Sequence, residues 1–184
     1  MGASIESRVG FGLRLVASLI DLVMITVGGL IIGTLLGGLL GSIFGSVLGT
    51  IEGIEGAVEG AEIGGIIGII LGAAIGIFVF GTLYNLLEGF VGATVGKMLI
   101  GIKIGSDDGT KARVGTLLFR YVLKNIALVS SLLAGIVGIT LIAKVGSLLG
   151  FVWFLGCFLV LGKARQGLHD MIAKTAVYPR KVLK

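Results

Sequence analysis

Glycine returns every fourth residue across much of the chain's first half. One run is Gly33, Gly37, Gly41, Gly45, Gly49 and Gly53; the register then slips by one, and Gly56, Gly60, Gly64, Gly68, Gly72 and Gly76 follow. The intervening residues are mainly Ile, Leu, Val and Ala. In water such a segment is a poor helix, because interior glycine costs roughly 1 kcal/mol relative to alanine. In lipid the backbone has no water to bond, so helix is enforced. Small residues four apart then form a groove that a second helix can approach closely. The pattern predicts a membrane protein with tight helix packing, residues 33–53 lying against 56–76 within a chain or between chains.

The charge pattern supports a membrane setting. Charged residues are 14% of the chain, hydrophobic residues 55%, and the mean hydropathy is +1.12; soluble domains carry nearer 25% charge. A spanning helix needs about 20 apolar residues, so four fit within 184 residues. The expected layout is a single domain, 1–184: a first helix region over 9–51, an acidic outer connection over 52–62, and a second helix over 63–87. A cytoplasmic connection over 88–116 follows, then helices over 117–143 and 145–161, and a basic tail over 162–184. The fold class expected is an all-α membrane protein, a four-transmembrane-helix bundle with a glycine-zipper helical hairpin.

Basic residues set the orientation. They cluster at Arg8 and Arg14, at Lys97 to Lys124, and at Lys163 to Lys184; only Lys144 lies elsewhere. Four spans put all three clusters on one side, which the positive-inside rule makes the cytoplasm. The expectation is a multi-pass protein of the cell membrane with both termini cytoplasmic. Arg14 and Asp21 interrupt the first apolar stretch, which argues against a cleavable signal peptide.

The net charge of +5 is distributed as membrane orientation requires, and nucleic acid is not an expected partner. Membrane lipids are, with a second copy or another membrane protein. The first region would reach about 60 Å as one helix, twice the hydrocarbon thickness. Either it projects and zips against the second helix, or residues beyond Gly33 fold back as a separate segment. A full extra span would break the charge rule, which favours projection.

Few residues could carry chemistry. Arg14 and Asp21 are seven apart, so they share a helix face about 10 Å apart along the axis. An intramembrane carboxylate needs a partner or a water path. Asp170 follows the fourth region, and a salt bridge to Arg14 would suit both near the cytoplasmic interface. Glu52, Glu55, Glu59 and Glu62 share one helical face and read as a solvated cap or an ion-attracting mouth. In the central connection Ile100, Ile102 and Ile104 alternate before Asp107-Asp108-Gly109, a strand followed by a turn. His169 reads as a hydrogen-bonded interface residue and Cys157 as a small lipid-facing or packed one. GATVGKM lacks the phosphate-loop spacing, and no zinc motif or nucleophile elbow appears. No enzyme activity, metal or cofactor is expected.

With these residues in view, the chain resembles the RDD family of prokaryotic membrane proteins, named for one arginine and two aspartates. GFGLRLVASLID carries the first motif with Arg14 and Asp21, and GLHDMIAKT carries Asp170. GATVGKMLIGIKI with its DDG turn resembles the central segment, and Arg120 fits the basic residue that follows it. The long glycine run with its Glu stripe departs from the shorter connection usual there. The resemblance implies an Arg14/Asp21/Asp170 cluster and a role in small-ion or solute transport, or one as a non-catalytic accessory subunit beside other membrane proteins.

Overall fold

The structure is a computed structural model that describes residues 5–183. It divides into two compact units. One comprises residues 20–85; the other joins the N-terminal residues through Leu19 to everything from Leu86 onward.

The 20–85 unit is built from two long helices, α1 (Phe11–Gly49) and α2 (Gly53–Val91), joined by a 3-10 turn at Thr50–Glu52. α1 runs unbroken through residues 33–49, so this segment extends the first helix. The acidic connection expected over 52–62 is only the short turn: Glu55, Glu59 and Glu62 already belong to α2. Gly53 is the hinge. Its φ of +91° suits glycine, and a Cβ there would meet nothing. Its expected place among the packing glycines is therefore corrected to that of a turn residue.

The other eleven glycines of the two runs line the seam or its closing turn. A Cβ on Gly33, Gly37, Gly41, Gly45 or Gly49 would strike the carbonyl oxygen of Gly72, Gly68, Gly64, Gly60 or Gly56 respectively. In the reverse direction, Gly60, Gly64, Gly68 and Gly72 would strike Gly45, Gly41, Gly37 and Gly33. Gly29 adds a further pair with Gly76. The pairing is antiparallel, and not even alanine fits without displacement of backbone. Such proximity brings Cα hydrogens onto opposing carbonyls, a weak contact that recurs between close helices. The seam closes with side chains: Gly28 faces Phe80, and Gly81 faces Ile25.

The other unit mixes short helices with one two-stranded sheet. Its elements are α3 (Val95–Ile100), β1 (Ile102–Ser106), α4 (Val114–Lys124), α5 (Ile126–Val137), α6 (Thr140–Gly156), α7 (Leu168–Ile172) and β2 (Thr175–Pro179). Thr94 caps α3, and Gly101, left-handed at φ +78°, ends it. Ile100 thus closes a helix, while Ile102 and Ile104 lie in the expected strand. That strand pairs antiparallel with β2, Ile104 opposite Val177. The expected turn forms at Asp107–Gly109, where Asp108 accepts from the Thr110 amide at 3.0 Å. Val9, Ala17, Ile102, Ile104, Leu117 and Val177 make the core.

The helix expected over 117–143 is broken twice. Asn125 caps α4, and α5 leaves at 82° to it; Gly138, left-handed at φ +76°, ends α5. α6 then starts at Thr140, earlier than the expected 145, and packs on α5 with Gly146 against Ser130 and Gly150 against Ala127. Among the described residues, the stretches long and apolar enough to cross a membrane are Phe11–Val91 and Thr140–Leu161, with α4 and α5 a third if counted as one bent span.

Candidate functional site: a buried ion-pair network

Asp170 sits in the first turn of α7 and is fully buried. A short helix preceded by Gly167 lets this carboxylate turn back and accept from the Gly167 amide at 3.2 Å. Its two oxygens receive Arg14 Nη1 at 2.7 Å and Arg120 Nε at 2.6 Å. Arg14 is fixed further by donating to the carbonyls of Val9 and Arg165.

Arg120 projects from α4 and links two carboxylates. Its Nη1 pairs with Glu88, from the last turns of α2. Glu88 is 2% exposed and also accepts from Lys97 Nζ and Lys124 Nζ, each at 2.9 Å. Lys124 lies four residues after Arg120, which puts both on one face of α4. The third Arg120 nitrogen, Nη2, lies 3.1 Å from His169 Nε2. A guanidinium only donates, so this nitrogen accepts and the imidazole is neutral, with its proton on Nδ1. The 3.4 Å approach of His169 to Asp170 is therefore not an ion pair.

The electrostatics follow from burial. Desolvation lowers the His169 pKa to about 4, with Arg120 acting in the same direction. Desolvation also lowers Lys97, to about 8, against the opposing pull of Glu88. Burial alone would raise Asp170; Arg120 and Arg14 overcome it and hold the carboxyl well below the usual range. Near neutral pH the network thus holds four cations, two carboxylates and a neutral imidazole.

Of the residues the sequence singles out, Arg14 and Asp170 are joined directly. Asp21 belongs to the 20–85 unit, where it is buried and accepts the Tyr84 hydroxyl at 2.6 Å. Glu52, Glu55, Glu59 and Glu62 are all exposed around the hairpin turn. Cys157 Sγ is 4.0 Å from His169 Nδ1. Among the described residues no group of three or more His, Cys, Asp or Glu side chains could hold a metal. Sequence reasoning missed Glu88 and the partnerships of Lys97 and Lys124. The signal was there: Glu88 is a lone acid closing an apolar segment, just before a strongly basic connection.

A family model described as RDD family matches residues 8–174, nearly the whole chain. No curated protein and no solved structure matches it.

Proposed function

Because the chain belongs to the RDD family and carries helices apolar enough to cross a bilayer, we propose that this membrane protein is a non-catalytic assembly subunit. It crosses the cell membrane four times with both termini cytoplasmic, and its glycine hairpin presents a surface to a second copy. Four crossings follow when the two legs of Phe11–Val91, which reverse at Thr50–Gly53, are counted separately, and α4–α5 and α6 supply the others.

The observation that carries the reading is the hairpin's outer surface. Each leg has 39 residues, about 58 Å of helix against about 30 Å of hydrocarbon. The glycines form a zipper spent within the hairpin, so the large aliphatic side chains face outward. Near the turn Ile51 is 88% and Ile54 86% exposed, beyond the reach of lipid and flanked by exposed carboxylates. Apolar surface of that extent calls for a cover. An apolar groove of about 440 Å³ along the seam, walled by Leu36, Leu40, Leu71 and Ile75, suits the same aliphatic ridge of a second copy. The ion-pair network supports a structural role, since each carboxylate already holds two or more cations.

The test is mass measurement in mild detergent, with disulfide trapping through Ile54→Cys in a Cys157→Ala background. Dimers or larger species crosslinked at residue 54 are expected; a monodisperse monomer with no crosslink would sink the reading. A transport role is the second reading, favoured by the buried Asp21 carboxylate in an apolar helix. Ion flux in proteoliposomes that Asp21→Asn abolishes would establish it.

A further inference from the structure

Within the unit that carries the ion pairs lies a half-open cavity of about 180 Å³. Arg14, Lys97, Arg120 and Lys124 all line it, and no carboxylate does. Glu88 and Asp170 meet these cations from other directions, which leaves two positive charges uncompensated in the network. His169, also on the wall, is neutral near pH 7 and removes none of the excess. Uncompensated charge among buried groups is costly, and basic pockets at the cytoplasmic end of membrane helices are suited to anionic groups. The remaining wall is apolar or small: Phe11, Leu15 and Ser18 lie on one face of α1 over its first two turns. Leu15 is exposed beside it, so an amphiphile could hold its charged end among the cations and its chain along α1.

We propose that this cavity binds a phosphate group carrying about two negative charges, either the terminal phosphomonoester of a lipid or free phosphate. The charge excess of two matches such a group. The volume exceeds what one bridging water needs. Lysine ammonium groups, each with three donors, keep protons available after bonding Glu88: Lys124 is about one-third exposed, and Lys97 opens onto the same space.

The experiment uses the full chain in uncharged detergent. Thermal unfolding and direct binding are followed with inorganic phosphate, and with phosphatidylcholine vesicles with and without phosphatidic acid. Saturable, salt-sensitive stabilisation by phosphatidic acid alone identifies a lipid headgroup site; the same from inorganic phosphate as well identifies an open phosphate site. Lys124→Gln should weaken binding about tenfold, the loss of one charge-assisted hydrogen bond, while Lys124→Arg restores it. Ser18→Leu leaves every ion pair in place and fills the cavity, so it should abolish binding without unfolding the protein. No stabilisation by either probe would overturn the proposal. So would binding that Lys124→Gln and Ser18→Leu leave unchanged, since the anion would then sit elsewhere on the basic surface.

Discussion

The 20–85 hairpin and the unit around Asp170 are held together by opposite means. Along residues 33–49 and 56–72 the hairpin's seam is backbone against backbone, and fit there is steric. The other unit is joined by side chains at full reach, with Arg120 bonding Asp170, Glu88 and His169 at once. Glycine has opposite meanings in the two. At Gly41 it is the only residue that fits; at Gly135, in α5, a Cβ would meet nothing. Spacing in a sequence therefore reports packing only where the partner stripe has a matching period.

The sharpest way to break this comparison is to fill the seam. Gly41→Leu with Gly68→Leu should push the legs apart along their length, because each pair is geometrically tied to the next. A loss beyond about 4 kcal/mol is expected, read as thermal unfolding in detergent and as widened distances between spin labels at the exposed positions Leu39 and Ile66. Gly135→Ala should instead be neutral or stabilising by up to about 1 kcal/mol. Equal tolerance at both places would mean that the seam is not the hairpin's organising feature.

Next in size is the charged network. Asp170→Ala strands Arg14, leaves Arg120 with Glu88 as its one carboxylate, and should lose about 3–5 kcal/mol, as broken buried pairs do. Glu88→Ala removes the carboxylate that pairs Lys97 and Lys124, leaves Arg120 with Asp170, and should be comparable. A change below about 1 kcal/mol in either, by chemical unfolding in detergent, would show that water replaces the pairs at little cost.

Much of this was legible in the sequence, and the parts that were not share a cause. The glycine period, the turn after β1 and the Arg14–Asp170 pair depend on local spacing or on a motif, and they appear in the structure. Glu88 did not stand out, because its partners come from α3 and α4, distant in sequence. The strand Thr175–Pro179 hid in a basic tail, since its burial depends on pairing with β1. The break at Asn125 was masked by uninterrupted apolarity. Charge clusters constrain only parity: whether α5 and α6 cross the membrane or dip and return, their ends come back to the same side. Lys144, exposed one turn into α6, favours crossing, since at the tip of a shallow re-entrant loop it would be left in hydrocarbon.

A smaller effect concerns pH. The folded pKa of His169 is lowered from 6.5 to about 4, so the folded state binds fewer protons than the unfolded one within that window. Stability from this group is full above pH 6.5 and falls as pH drops toward 4. Asp170, held well below the carboxylate range, still contributes there. Unfolding followed through the single Trp153 should show this decline in the wild type and a flatter profile in His169→Gln. An unchanged profile would assign the acid sensitivity to other groups.

The smallest effect returns to the hairpin, at a buried hydrogen bond between side chains of the two legs. Tyr84→Phe removes the donor to Asp21 and should lose about 1–2 kcal/mol, the range for a hydrogen bond to a carboxylate. Asp21→Asn keeps an oxygen that still accepts the hydroxyl, so it should lose less than Tyr84→Phe. That order is what a structural bond requires. It also separates the two functional readings, because the amide keeps the bond but cannot carry a proton or balance a cation. If Asp21→Asn folds and assembles like the wild type and no flux exists to be lost, Asp21 is a fastener for the hairpin. If reconstituted flux disappears in a variant whose stability is unchanged, the same carboxylate is the working group and assembly only its support. A Tyr84→Phe variant less perturbed than Asp21→Asn would contradict both, since the bond would then contribute nothing and the carboxylate would be held by other contacts.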